Sequence, residues 1–132
     1  MIKILVVDDS EFFRKIYSEA LTQAGFEVVL AVNGQEAIDK LRSENPRLVL
    51  MDLVMPVLTG AEALAEMKKD PAIKTTPVVM LTSVSADIKG DDLLLLGAVG
   101  YLVKDKVTPQ EVVDKIKEML GTSTAALDPT LA

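Results

Sequence analysis

The chain has 132 residues, 49% apolar and 26% charged, and carries a formal net charge of −6. That length suits one domain with its own hydrophobic core, and with aromatics at only 4% the core must be aliphatic. Cys and His are both absent, which excludes disulfides, thiol catalysis, thiolate or imidazole zinc sites and histidine bases, and the acidic balance argues against direct nucleic-acid binding.

Ile2 to Val7 reads as a first strand, apolar and rich in β-branched residues, closed at once by Asp8 and Asp9. Ser10 caps a helix over "EFFRKIYSEALTQA", where Phe13, Ile16, Ala20 and Leu21 share a face and Gly25 stops it. "FEVVLA" (26–31) is a second strand. Asn33-Gly34 makes a turn, and Asn33 with Glu36 has capping-box spacing for a helix whose apolar face is Ala37, Ile38 and Leu41. "RLVLMD" (47–52) is the third strand, again ending on an acid. A helix follows over roughly 60–69, then "VVMLTS" (78–83) as strand four. A helical segment near 86–96 leads into "GYLVK" (100–104), strand five. Thr108-Pro109-Gln110-Glu111 supplies a cap, a first-turn proline and an N3 glutamate for a last helix over 109–120. Residues 121–132 are small, polar and aperiodic, so the reading is a domain over 1–120 followed by a disordered tail.

Five strands alternating with five helices predict an α/β fold, a (βα)5 sandwich whose parallel sheet is covered on both faces. The longest apolar run, Leu93 to Val103, has 11 residues with two glycines inside, too short to span a bilayer. The N-terminus lacks a signal-peptide layout, so a cytoplasmic protein without membrane contact is expected.

In open α/β sheets ligands bind beyond the carboxyl ends of the strands. Those ends deliver Asp8 and Asp9, Asp52, Thr82 and Ser83, and Lys104, while the strand interiors hold almost nothing polar. Three carboxylates call for a hard divalent cation, and with few protein ligands Mg²⁺ suits better than Ca²⁺. A metal, a lysine, a hydroxyl and a free carboxylate make a phosphoryl-transfer site. The carboxylate attacks phosphorus, and the cations neutralise the transferring oxygens. Asp52 is the best nucleophile, since it stands alone on a central strand while Asp8 and Asp9 pair on a metal.

From about residue 2 to 120 the chain resembles the receiver domain of two-component response regulators, through "VVDDS", "LVLMDLVMPVLTG", "VVMLTS" and "GYLVK". The resemblance implies a flavodoxin-like, doubly wound sheet of order 2-1-3-4-5, as in chemotaxis receivers. Asp52 would be the phosphoacceptor, and Asp8, Asp9, Asp52 and the backbone carbonyl of Val54 would hold Mg²⁺. Thr82 would bind the phosphoryl group, Lys104 would pair with it, and Tyr101 would be an aromatic switch that turns inward with Thr82. A histidine kinase or phosphotransfer protein would be the donor. The fourth helix, fifth strand and fifth helix (α4-β5-α5) would form the face offered to a downstream protein target.

Three features depart from the family pattern. Most relatives follow the strand-five lysine with proline, often in a cis bond; here Asp105 follows, and a trans bond is expected. The positions two beyond the acceptor and two beyond the switch threonine are Val54 and Val84, which cannot orient an attacking water, so slow self-hydrolysis is expected. In "DDLLLLG" four consecutive leucines sweep too wide an arc for one buried stripe, so one or two of Leu93 to Leu96 should be exposed, and a homodimer through that face is worth testing. Gly90 should weaken the start of that helix.

The reading is a Mg²⁺-dependent phosphoacceptor that catalyses only its own phosphorylation and dephosphorylation and is otherwise no enzyme. The alternative is a non-phosphorylated pseudo-receiver acting as a protein-interaction module, against which the intact Asp8, Asp9, Asp52, Thr82 and Lys104 argue.

Overall fold

A computed structural model describes residues 1–83 and 90–121. Five strands, β1 (Lys3–Val7), β2 (Glu27–Ala31), β3 (Leu48–Asp52), β4 (Val78–Thr82) and β5 (Gly100–Val103), alternate with five helices. These are α1 (Glu11–Gln23), α2 (Gly34–Glu44), α3 (Gly60–Lys68), α4 (Gly90–Leu95) and α5 (Pro109–Met119). The sheet is parallel throughout, in the order β2-β1-β3-β4-β5. The expected fold is therefore observed, strand order included.

The helix starts form where the capping residues stand. Ser10, Asn33, Thr59 and Thr108 each accept a backbone N–H two or three residues into their helix, and Thr59 and Thr108 close reciprocal capping boxes with Glu62 and Glu111. Gly25 follows α1 at φ +95°, a backbone region that glycine enters freely.

The sheet divides the core in two. Leu5, Val7, Val49, Met51, Val78 and Met80 pack on α2, α3 and α4. The alternate residues Ile4, Val6, Leu48, Leu50, Val79 and Leu81 pack on α1 and α5. Period-two alternation thus sends the apolar residues of β1, β3 and β4 alternately into one core or the other, which is why these central strands read as continuous apolar runs.

Two expectations need revision. Lys104 is not in β5: the strand stops at Val103, and Lys104–Lys106 form a single 3₁₀ turn, with no cis peptide among the described residues. In α4 only Leu93 is buried, so three leucines rather than one or two are exposed. A helix of one and a half turns offers the core a single position, and Leu96 lies beyond its end. Residues 84–89, Val84 among them, and all of the expected 121–132 tail except Gly121 lie outside the described residues.

Candidate functional site

Strand alternation decides which polar residues can meet. Asp8 continues the series Ile4, Val6, and Asp52 the series Leu48, Leu50, so both carboxylates emerge on the α1/α5 side of the sheet edge. Lys104 continues from Leu102 on the same side. Thr82 continues Val78, Met80 and belongs to the opposite side, as does Tyr101, which packs against the core beneath α4. Asp8, Asp52, Lys104 and Thr82 thus share one edge but straddle the sheet, with Tyr101 two register positions back from it on the Thr82 side.

On the α1 side, the Lys104 ammonium bridges two acids, 2.6 Å from Asp8 Oδ2 and 3.2 Å from Asp52 Oδ2. Asp8 is fully buried, and its other oxygen accepts the Ser10 backbone N–H at 2.8 Å, tying the acid to the start of α1. Arg14 Nη1 donates to the Asp8 carbonyl at 2.7 Å. Asp9 sits outside, exposed, and carboxylate oxygens of Asp8, Asp9 and Asp52 come within 4.8 Å of one another. Two buried acids and one exposed acid, all hard oxygen donors, fit a small divalent cation entering from solvent.

Burial, and after it the charge of Asp8, pushes the Asp52 carboxyl above the ordinary carboxylate value. Lys104 and the Val54 backbone N–H oppose the rise without cancelling it. The acid is thus held in an environment that disfavours its charge.

Thr82 ends β4 and is buried; Tyr101 is half-buried, and its ring lies directly over Gly90. A β-carbon at Gly90 would fall inside that ring, so the glycine serves close packing and does more than weaken a helix start. Met55 and Leu58 anchor the loop after Asp52, whereas Val54 and Val57 face solvent. Leu58 N–H donates to Pro56 carbonyl at 2.8 Å across Val57, whose φ of +71° is that of a strained γ-turn. Strain of this kind in a β-branched residue costs of order 1–3 kcal/mol.

Three contributors were missed in the sequence. The Phe13 ring lies 4.1 Å from the Lys104 ammonium, and Tyr17, buried, stacks on Phe13 at 5.8 Å. Arg14 completes the set. Phe13 and Tyr17 are four residues apart, a spacing that could have shown the pair, but nothing local shows that Lys104 lies above them.

A (βα)5 sheet with order 2-1-3-4-5 and an acid–lysine cluster at its carboxyl edge defines a receiver-like α/β signalling module. Residues 4–117 match the response regulator receiver domain, and the chain belongs to that family. It is 38% identical over 119 residues to the chemotaxis protein CheY of Halobacterium salinarum, covering 89% of this chain and 96% of that one. It is 37% identical to the probable transcriptional regulator ycf27 of Cyanophora paradoxa, over 98% of this chain but 52% of that protein. The chain thus spans about half the length of the ycf27 regulators it matches. Among solved structures, chemotaxis response regulator CheY4 of Vibrio cholerae superposes with a TM-score of 0.82 at 34% identity, covering 90% of this chain and 98% of that one.

Receiver domains are signalling modules rather than classical enzymes, and they bind Mg²⁺ at an acidic pocket. Among the described residues no helix is long and apolar enough to cross a membrane.

Proposed function

We propose that the chain accepts a phosphoryl group on Asp52 from a phosphohistidine of a histidine kinase or phosphotransfer protein. The observation that supports this most is Lys104 held between Asp8 and Asp52 at the mouth of a three-carboxylate cluster. An Asp52 oxygen attacks phosphorus, the bond to the histidine nitrogen breaks, an acyl phosphate forms, and the imidazole leaves. Asp8, Asp9, Asp52 and the Val54 carbonyl would hold Mg²⁺, which would supply positive charge for the transferring oxygens. Lys104, freed from the Asp52 carboxylate, pairs with a phosphoryl oxygen, and the Thr82 hydroxyl binds another from across the sheet.

Drawing Thr82 toward the phosphate opens room on the α4 side, into which Tyr101 turns. The α4-β5-α5 face then favours a downstream protein target or a second copy of the chain. Differential affinity for the two arrangements does the switching, so phosphorylation need favour the active one by only a few kcal/mol. Val54 offers no hydrogen bond to a hydrolytic water, which supports a long-lived phosphoryl state.

Intact mass after incubation with acetyl phosphate and Mg²⁺ tests this reading. The expected result is a single phosphoryl adduct that requires Mg²⁺, is absent in Asp52→Ala and decays over minutes or longer. Absence of an adduct in the wild type would overturn the proposal in favour of the pseudo-receiver, and decay within seconds would remove the role given to Val54.

A further inference from the structure

Lys104 stands in a cradle of three parts. Two are the carboxylates of Asp8 and Asp52, at 2.6 and 3.2 Å; the third is the face of Phe13, with the ammonium 4.1 Å from the ring centroid. The lysine side chain is only 14% exposed, so the ring acts on a largely desolvated cation, where such attraction is strongest. The ring is itself held. It stacks on the buried Tyr17 at 5.8 Å and 24°, and Phe12 meets it edge-on at 5.2 Å. It sits in the first turn of α1, whose start Ser10 caps by accepting the Phe13 N–H.

The two kinds of partner differ in what happens when Asp52 reacts. Both acids belong to the cluster that changes charge and occupancy, and the shorter contact, to Asp8, draws the ammonium away from Asp52. The ring carries no charge to change, and its stacking on Tyr17 and edge contact with Phe12 hold it independently of the acids. We infer that Phe13 is a positioning residue for the phosphoryl transfer: its ring fixes the Lys104 ammonium beside Asp52, so that the cation already stands where charge develops. With the ring in place the ammonium keeps its 3.2 Å contact to Asp52 despite the shorter one to Asp8; without it the two acids alone would hold the cation. This inference rests on the phosphoacceptor reading given above.

The test measures the rate of adduct formation with acetyl phosphate and Mg²⁺ for Phe13→Leu and Phe13→Met, which keep the apolar bulk, and for Phe13→Tyr, which keeps the ring. The same substitutions are made in a Lys104→Met background. Expected are a loss of about three- to tenfold for Leu and Met, near-wild-type rates for Tyr, and no further loss when Lys104 is already Met. Loss of the ring-induced shift of the Lys104 terminal methylene protons, read by NMR in Phe13→Leu, would accompany the rate change. Equal losses in both backgrounds, or full rates in Leu and Met with that shift gone, would overturn the inference and leave the receiver reading intact. If Leu fails to fold, Met and Tyr carry the comparison. No adduct in the wild type would instead remove the reading on which the inference stands.

Discussion

At Asp52, burial and charge pairing pull in opposite directions. Burial and Asp8 disfavour its charge more than Lys104 and the Val54 N–H favour it, so its folded pKa lies above the ordinary value of 3.8. Between those two values the native state binds more protons than the unfolded chain, and stability falls as pH rises through that window. Asparagine carries no charge to be penalised. In EDTA, Asp52→Asn should therefore melt above the wild type at about pH 7, with the difference shrinking as the pH falls below the ordinary carboxylate value. A calorimetric scan in which the variant melts lower at neutral pH would mean that the Lys104 ion pair outweighs the burial cost. Val57 shows the same trade in backbone terms, since a strained turn beside Asp52 persists although its own side chain is largely exposed.

At the scale of elements, two helix starts are fitted to what lies beneath them. Gly60 brings the first turn of α3 so close to β3 that a β-carbon would strike the Asp52 carbonyl and Leu53 backbone, which cannot move. Gly90 brings α4 down onto the Tyr101 ring, which can. Gly90→Ala should therefore displace the ring rather than unfold the domain. Overpacking of about 1–3 kcal/mol is offset by about 1 kcal/mol of gained helix propensity, for a net loss up to about 2 kcal/mol. The Tyr101 ring resonances should shift while those of Tyr17, in the other core, stay in place. Unchanged Tyr101 signals would show that the ring does not rest on Gly90.

Across the whole molecule, the carboxylate edge and the leucine-rich flank are separate surfaces joined through the α4-side core. Leu95 is 86% exposed and Leu94, Leu96 and Val99 are each about 40% exposed, a cluster that contributes little to the isolated domain. Leu95→Asp should leave the stability within about 0.5 kcal/mol of wild type and the acetyl phosphate rate unchanged. A large drop in melting temperature would mean that Leu95 is covered in solution.

Much of this was legible in the chain because it is written locally. The five apolar runs, the caps at Ser10, Asn33 and Thr108, and the acids closing β1 and β3 each depend on residues a few positions apart. Period-two counting even places Asp8 and Asp52 on one side of the sheet and Thr82 on the other. Strand order came from likeness to a family, since the pairing of β1 with β3 has no local signal. What only the tertiary structure decided lies at long range: the 3₁₀ turn that takes Lys104 out of β5, its seat on Phe13, and the Tyr101 ring over Gly90. Each is a contact between side chains whose positions are set by how helices pack on the sheet, and packing geometry is not carried by any one stretch of sequence.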